Sequence, residues 1–154
     1  MAIGAIGVKS LSKAENKILN KIQKGEKVTL PEFSFIELNN SRQTFSNEDL
    51  KNNDYSLINV FASWCSSCAV EHHLLMKLSR KIKIYGIAWR DIDKNTKNYL
   101  EKYGNPYQKV GIDNKGKFQV KGTPESFLVN SKGEIIYYLQ GPIDEVFVNQ
   151  FLSK

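Results

Sequence analysis

The sequence predicts an α/β fold in which a mixed central sheet carries helices on both faces. Residues 56–62 form a near-continuous apolar run, the composition of a buried central strand. A stretch with helical spacing follows directly, as in a βαβ unit. Near the C-terminus, Asn130-Ser131-Lys132-Gly133 separates two apolar runs and predicts an antiparallel hairpin.

The elements before residue 56 are predicted to be short. Residues 10–24 have the spacing of a lysine-rich helix. Residues 33–38 are strand-like, and residues 39–41 form a turn. Ser46 is placed to cap a short helix whose third position is Asp49.

From residue 56 onward the order reads strand–helix–strand–helix–strand–strand–helix, which predicts two βαβ crossovers followed by the hairpin. The strands are residues 56–62, 83–88, 125–129 and 134–139, and Val110-Gly111-Ile112-Asp113 leads into a turn. The helices are residues 66–81, a helix from Asp93 as cap to Tyr103, and one capped by Asp144. The first helix has Val70, Leu74, Leu75 and Leu78 at core spacing, and the last has Val146, Phe147, Val148 and Phe151 on or near its buried side.

Composition and charge narrow the function classes. The 154-residue chain is 41% apolar with a net charge of +6, which suits one globular domain. Six lysines and two glutamates lie in residues 1–27. This segment is either a solvated basic leader or a stretch attracted to an anionic membrane surface. No basic run interleaves with aromatic residues, so we expect no nucleic-acid partner. No stretch reaches the roughly 18 apolar residues of a membrane-spanning helix.

Cys65 and Cys68 are the only cysteines, and the predicted strand meets the predicted helix at this pair. Cys65 therefore lies at a helix N-terminus, where free N–H groups and the helix dipole favour a thiolate. Cys68 lies about one turn further along and can attack a mixed disulfide formed on Cys65. This arrangement predicts dithiol–disulfide exchange.

Two other interpretations of the cysteine pair have weaker support. A zinc site normally needs four ligands, and the only histidines, His72 and His73, are adjacent and point roughly 100° apart on a helix. A purely structural disulfide would close so short a loop that it restricts the unfolded chain little. We therefore expect neither a resident metal nor a cofactor.

Several motifs together resemble the DsbE/CcmG-type thiol:disulfide interchange proteins of cytochrome c maturation, a branch of the thioredoxin-like family. They are Asn59-Val60-Phe61-Ala62-Ser63-Trp64-Cys65-Ser66-Ser67-Cys68, Glu71-His72, Tyr85-Gly86, Tyr99-Leu100-Glu101, Tyr103-Gly104-Asn105-Pro106-Tyr107, Gly122-Thr123-Pro124-Glu125-Ser126-Phe127-Leu128 and Gly141-Pro142. The resemblance covers about residues 28–154, which implies a thioredoxin-like domain there. Residues 1–27 are then a leader and linker whose membrane anchor has been removed.

The resemblance implies a monomeric periplasmic reductant tethered to the inner membrane. A membrane thiol reductase would keep it reduced, and it would pass electrons to apocytochrome c or to a cytochrome c maturation protein. A general thioredoxin-like reductase, a disulfide isomerase and a thiol-based metallochaperone are the alternatives.

The resemblance also assigns roles to individual residues. Cys65 is the nucleophile and Cys68 the resolving thiol. Trp64 is a lid beside the sulfurs. Thr123-Pro124 is a cis-proline loop that faces the dithiol and pairs with a substrate strand, and Tyr107 lines the partner groove.

Asn59 occupies the strand position where ordinary thioredoxins carry a buried acid. Because an amide cannot titrate, either a carboxylate elsewhere or water must exchange the Cys68 proton. We expect Glu125, beside the proline, to be the first candidate and Glu71 the second. His72 and His73 are interpreted as surface or packing residues.

Overall fold

A computed structural model describes residues 26–152. The predicted helix of residues 10–24 lies outside the described residues. The described part contains the strands β1 (Ser34–Glu37), β2 (Asn40–Ser46), β3 (Tyr55–Phe61), β4 (Lys83–Trp89), β5 (Val110–Asp113), β6 (Glu125–Asn130) and β7 (Ile135–Gln140). It also contains a 3₁₀ helix (Asn47–Asn52) and the helices α1 (Ser66–Leu78), α2 (Asp93–Tyr103) and α3 (Glu145–Leu152).

The strands form one mixed sheet in the order β2-β1-β5-β4-β3-β6-β7. β3 pairs with β4 and β4 with β5 in parallel, while the remaining pairs are antiparallel. β3 is therefore central, and six of its seven residues are fully buried or nearly so, as its apolar composition predicts. The α/β fold with a mixed sheet is confirmed.

Helices lie on both faces of the sheet, but the three α-helices share one face and only the 3₁₀ helix lies on the other among the described residues. The crossovers β3–α1–β4 and β4–α2–β5 step in the same direction along the sheet, so right-handed connections place both helices on one face. Leu75 of α1, Leu100 of α2 and Phe147 of α3 all belong to the same core cluster. The opposite face is covered by the 3₁₀ helix, through Leu50, and by aromatic side chains that include Phe45 and Phe118.

Two strands differ from the sequence prediction. β2 lies where only a turn was expected, and its first five residues are exposed, so it lacks the apolar alternation of a half-buried strand. β5 was expected only as the approach to a turn. It is a strand because β4 and β1 pair with it on either side.

Two residues assigned to the core are exposed. Val70 is 69% exposed and Val146 is 61% exposed, although their neighbours Leu74 and Phe147 are buried. Both valines lie at the margin of an apolar stripe, where spacing alone does not decide the face. The cap predictions at Ser46 and Asp144 are confirmed, since Ser46 makes a capping box and Asp144 accepts from the Phe147 N–H. The α2 cap is different, because Asp93 is already helical and Ile92 occupies the cap position.

The start of the described chain pairs with the β6–β7 turn and the first residue of β7. The Ile135 N–H donates to the Val28 carbonyl at 2.7 Å, and the Leu30 N–H donates to the Gly133 carbonyl at 2.9 Å. Thr29 forms an isolated bridge with Glu134 between these two bonds. None of the helices within residues 26–152 is long and apolar enough to cross a membrane.

Candidate active site

Cys65 and Cys68 form a disulfide at the start of α1. Cys65 occupies the cap position, and its sulfur accepts a hydrogen bond from the Cys68 backbone N–H at 3.2 Å. Cys65 is 7% exposed and Cys68 only 1%. Cys65 is thus the more accessible residue of the two, and its sulfur sits where helix N–H groups stabilise negative charge.

Asp91 fastens the loop that leads to Cys65. Its carboxylate accepts from the Ser63 backbone N–H at 2.7 Å and from the Ser63 hydroxyl at 2.8 Å. It also accepts from the Ile92 N–H and the Thr96 hydroxyl, both on the β4–α2 side. One buried carboxylate therefore connects two neighbouring loops at the carboxyl end of the sheet.

Trp64 lies on the surface immediately before Cys65. Its side chain is 58% exposed, and its indole N–H donates to the Arg90 carbonyl at 2.9 Å. Arg90 has a φ of 49°, in the left-handed region, which turns the chain directly after β4. This position fits an exposed aromatic surface next to the cysteines.

The Thr123–Pro124 peptide bond is cis and directly precedes β6. Glu125 pairs with Val60 across the antiparallel β3–β6 ladder. The two residues before Glu125 therefore lie beside the segment that continues from Val60 toward Cys65. The register brings Thr123 and Pro124 to the same end of the sheet as the disulfide.

Glu71 lies on α1 three residues after Cys68, on the same face of the helix. It is buried, and Oε1 accepts from the Ile143 N–H at 2.9 Å while Oε2 accepts from the Asn59 side-chain N–H at 3.0 Å. Burial raises the pKa of Glu71 to about 7, whereas its two hydrogen bonds act to lower this pKa. A buried carboxyl group that titrates near neutrality thus lies one turn from the resolving cysteine.

Asn59, which contacts Glu71 of α1, also makes hydrogen bonds to two residues outside that helix. Its Nδ2 group also donates to the Ser126 hydroxyl at 3.1 Å, and its Oδ1 accepts from the Tyr107 hydroxyl at 2.7 Å. Tyr107 is therefore placed in the core, 8% exposed, and not on a surface groove as the sequence predicted. The Tyr107 ring stacks on the Phe61 ring with centroids 4.8 Å apart, and this contact fixes its position in the core.

The two predicted carboxylates lie on opposite faces of the sheet. Glu125 pairs with Val60, whereas Asn59, which contacts Glu71, pairs with Ser126, and adjacent strand residues face opposite sides. Glu125 accepts from the Tyr138 hydroxyl at 2.5 Å and from the backbone N–H groups of Lys121 and Gly122. It thus holds the loop before Pro124, while Glu71 shares a helix face with Cys68. Of the two predicted candidates, Glu71 is thus the one that lies on the helix of Cys68.

The two histidines have different surroundings. His72 is buried, and its Nε2–H donates to the Gly104 carbonyl at 2.8 Å. Desolvation lowers the pKa of His72, so its ring packs in the neutral form against Tyr99. His73 is exposed, and among the described residues its one side-chain hydrogen bond is to the Val70 carbonyl. Both positions agree with packing and surface roles.

Comparison with known proteins identifies the family. Residues 23–150 match the Redoxin family. The chain belongs to the redoxin family. Within it, the chain belongs with the DsbE-type thiol:disulfide interchange proteins. It is 34% identical over 130 residues to the thiol:disulfide interchange protein DsbE-2 of Pasteurella multocida, a match that covers 81% of this chain and 69% of that protein.

Other redoxin relatives give the same result. The chain is 38% identical over 124 residues to thiol:disulfide interchange protein DsbE of Allochromatium vinosum, covering 74% of this chain. It spans 66% of that relative and 64% of the Haemophilus influenzae DsbE, just under two thirds of each. A solved thioredoxin-family thiol:disulfide interchange protein from Chlorobium tepidum superposes with a TM-score of 0.67 at 22% identity, covering 83% of this chain and 95% of that one. At that identity the structural match establishes the shared thioredoxin-like fold.

Two features of this redoxin site were missed by the sequence reasoning. Asp91 was not identified, although an acidic residue directly after β4, the strand beside β3, was the available signal. Ser126, which contacts Asn59, has no signal in a single sequence, because only the β3–β6 register brings the two together.

Among residues 26–152, no three His, Cys, Asp or Glu side chains are grouped so that they could hold a metal ion. His72 points away to Gly104 and does not join the cysteine pair.

Proposed function

We propose that the protein is a thiol-disulfide oxidoreductase that reduces protein disulfides in the periplasm during cytochrome c biogenesis. The observation that carries this proposal is the Cys65–Cys68 disulfide at the N-terminus of α1, with the buried Glu71 carboxyl group one turn from Cys68. This arrangement supplies a nucleophile, a resolving thiol and a proton acceptor within two helical turns.

In the first step the reduced protein meets an oxidised substrate. The Cys65 thiolate attacks one sulfur of the substrate disulfide, forming a mixed disulfide and releasing the other substrate sulfur as a thiolate. The Cys68 N–H, which donates to the Cys65 sulfur, and the other free N–H groups of the first turn stabilise the attacking thiolate.

In the second step Cys68 resolves the mixed disulfide. Glu71, ionised in part near neutral pH, accepts the proton of the Cys68 thiol. The Cys68 thiolate then attacks Cys65, the Cys65–Cys68 disulfide forms, and the second substrate thiolate leaves. Two electrons pass to the substrate, whose two sulfurs end as thiols, and a membrane thiol reductase restores the protein dithiol.

The surface around Cys65 suits a protein substrate. Trp64 offers an exposed aromatic surface, and the backbone of Thr123 ends an antiparallel strand beside the cysteine loop. An extended substrate segment can therefore pair with Thr123 while its cysteine meets Cys65. The names of the relatives, thiol:disulfide interchange proteins, support the chemistry, and the cytochrome c substrate, the inner-membrane tether and the monomeric state follow from the family resemblance.

The reduction potential of the Cys65–Cys68 pair tests the direction of electron flow. Equilibration in thiol redox buffers should give a value close to the roughly −270 mV of thioredoxin. A value close to roughly −120 mV, the range of a strong oxidant, would overturn the reductant role and indicate a disulfide donor or isomerase.

The substrate class is tested with a peptide that carries an oxidised C-x-x-C-H haem-attachment site. The reduced protein should reduce this peptide faster than it reduces a scrambled peptide whose two cysteines have the same spacing. The Cys68→Ser variant should accumulate a mixed disulfide on Cys65, whereas Cys65→Ser should accumulate none. Equal rates with both peptides would contradict specificity for apocytochrome c.

A further inference from the structure

The hydroxyl of Tyr107 meets the side-chain amide that contacts Glu71. The hydroxyl donates to Asn59 Oδ1 at 2.7 Å, and Asn59 Nδ2 donates to Glu71 Oε2 at 3.0 Å. We propose that Tyr107 is a positioning residue, which orients Asn59 so that its NH₂ group, and not its carbonyl oxygen, faces Glu71. The inference rests on the proposed function, in which Glu71 accepts the Cys68 proton.

Of the two other groups that contact Asn59, neither fixes its orientation. The Ser126 hydroxyl can donate or accept, so it tolerates either rotation of the amide. Glu71 accepts from an NH₂ group when ionised, but when protonated it can donate to a carbonyl oxygen. Tyr107 is different, because Asn59 Oδ1 is the one acceptor that its buried hydroxyl meets among the described residues. Rotating the amide would therefore leave the hydroxyl proton of Tyr107 without an acceptor.

Three local contacts fix the position of Tyr107. Its backbone N–H donates to the Asn105 side-chain oxygen at 2.9 Å, which fixes the turn that carries it. Its ring stacks on Phe61. The ring also lies directly over Gly86, where an added Cβ would come within 3.0 Å of Tyr107 Cδ1. The Asn-Pro-Tyr segment therefore delivers a hydroxyl to the buried side of the active site.

Among the groups around Glu71, the Asn59 amide is the one whose orientation can change. The Ile143 N–H is fixed by the backbone, and the neighbouring Asp144 carboxylate caps α3. Burial and the nearby Glu71 carboxylate raise the pKa of Tyr99 of α2 to about 12 and hold the pKa of Tyr107 well above its usual value, so both hydroxyls stay neutral. His72 donates to Gly104. Of the other titratable side chains of α1, the redox-active Cys68 lies on the same helix face as Glu71.

The orientation of Asn59 sets how readily Glu71 accepts a proton. An NH₂ group stabilises the ionised carboxylate, whereas a carbonyl oxygen stabilises the protonated acid. Loss of the Tyr107 hydroxyl frees the amide to rotate. Glu71 would then hold its proton at higher pH and would be less available to deprotonate Cys68.

The test is the Tyr107→Phe variant, with the pKa of Glu71 measured by ¹³C NMR of its carboxyl group in the oxidised protein. We expect an upward shift of about one pH unit. The matched control is Tyr99→Phe, because Tyr99 is equally buried near Glu71 but its hydroxyl has no hydrogen-bond partner among the described residues. A shift in Tyr107→Phe no larger than in Tyr99→Phe would overturn the proposal.

A double-variant cycle separates positioning from general disturbance of the core. Asn59→Leu removes the amide, so adding Tyr107→Phe to it should cause no further shift in the pKa of Glu71. A second shift of the same size would overturn the proposal. If Tyr107→Phe does not fold, NOEs in the wild-type protein provide the test: the Asn59 amide protons should lie closer to Ser126 than to the Tyr107 ring, and the reverse would refute it.

These measurements also separate the inference from the proposed function. The pKa of Glu71 is read without any substrate, so it stands even if the protein reduces no disulfide. If exchange occurs but its pH profile does not move with the pKa of Glu71 in Tyr107→Phe, the proton-acceptor role of Glu71 fails while the positioning by Tyr107 holds.

Discussion

Asp91 accepts two hydrogen bonds from Ser63, one from the backbone N–H at 2.7 Å and one from the hydroxyl at 2.8 Å. Ser63 lies two residues before Cys65, and Asp91 follows β4. The cysteine loop is therefore attached to the neighbouring loop by a buried carboxylate and not only by its own backbone.

Replacing Asp91 by Ala should lower the free energy of unfolding by roughly 3 kcal/mol, because several buried donors would lose a charged acceptor. Urea denaturation of the oxidised protein measures this loss. Asp93→Ala is the control, since that exposed carboxylate accepts from the Asn114 side chain and should change stability by less than about 0.5 kcal/mol. Equal losses in the two variants would contradict the role of Asp91.

The Glu71→Gln variant should change how stability depends on pH. Burial raises the pKa of Glu71 from 4.5 to about 7, so the folded protein binds its proton more tightly than the unfolded chain does. That contribution is complete below pH 4.5 and is lost as pH rises to about 7. Relative to Glu71→Gln, the oxidised wild type should therefore lose roughly 3 kcal/mol across this window. Parallel pH profiles of the two proteins in urea denaturation would rule out the raised pKa.

Gly86→Ala should be destabilising because the new methyl group has no room. Its Cβ would come within 2.9 Å of Phe61 Cε1 and 3.0 Å of Tyr107 Cδ1, so the stacked rings must separate. We expect a loss of about 1–3 kcal/mol in thermal or urea unfolding. Gly122→Ala is the matched control, since nothing lies within 4 Å of its added Cβ. The steric argument fails if Gly86→Ala is as stable as Gly122→Ala.

Trp64→Ala should affect exchange with protein substrates more than stability. Because the side chain is 58% exposed and makes one hydrogen bond to a backbone carbonyl, its loss should cost less than about 1 kcal/mol. The rate of reduction of an oxidised peptide should fall, while the rate of reaction with dithiothreitol stays close to wild type. Tyr55→Ala, an exposed aromatic change at the opposite end of β3, should alter neither rate.

The sequence predicted the elements whose signals are local. The apolar run of β3, the helix that starts at the cysteines and the capping residues Ser46 and Asp144 were all identified correctly. Strand β2 was not, because five exposed polar residues pair through their backbone and leave no apolar pattern. Its pairing with β1 is decided by hydrogen bonds that side-chain type does not encode.

Only part of the candidate site could be predicted, because some of its residues belong to short motifs and others are placed by contacts between distant elements. The cysteines and the Thr123-Pro124 step are recognisable as short motifs, and their positions agree with the expectation. Tyr107 was recognisable only as part of a turn segment, and its burial depends on Phe61 and Gly86, which lie on two other elements. Which of Glu71 and Glu125 shares a side of the sheet with Cys68 depends on strand register, which no single motif specifies.

The bonds from Val28 and Leu30 to the β7 hairpin also bear on self-association. They occupy the backbone groups of Ile135 and Gly133 that would otherwise face solvent at the end of a sheet. A chain shortened to begin after Leu30 would present those groups, beside the apolar side chains of β7, to any other extended chain. The entry segment thus removes these two groups from edge-to-edge pairing, at the end of β3 that lies away from the cysteines.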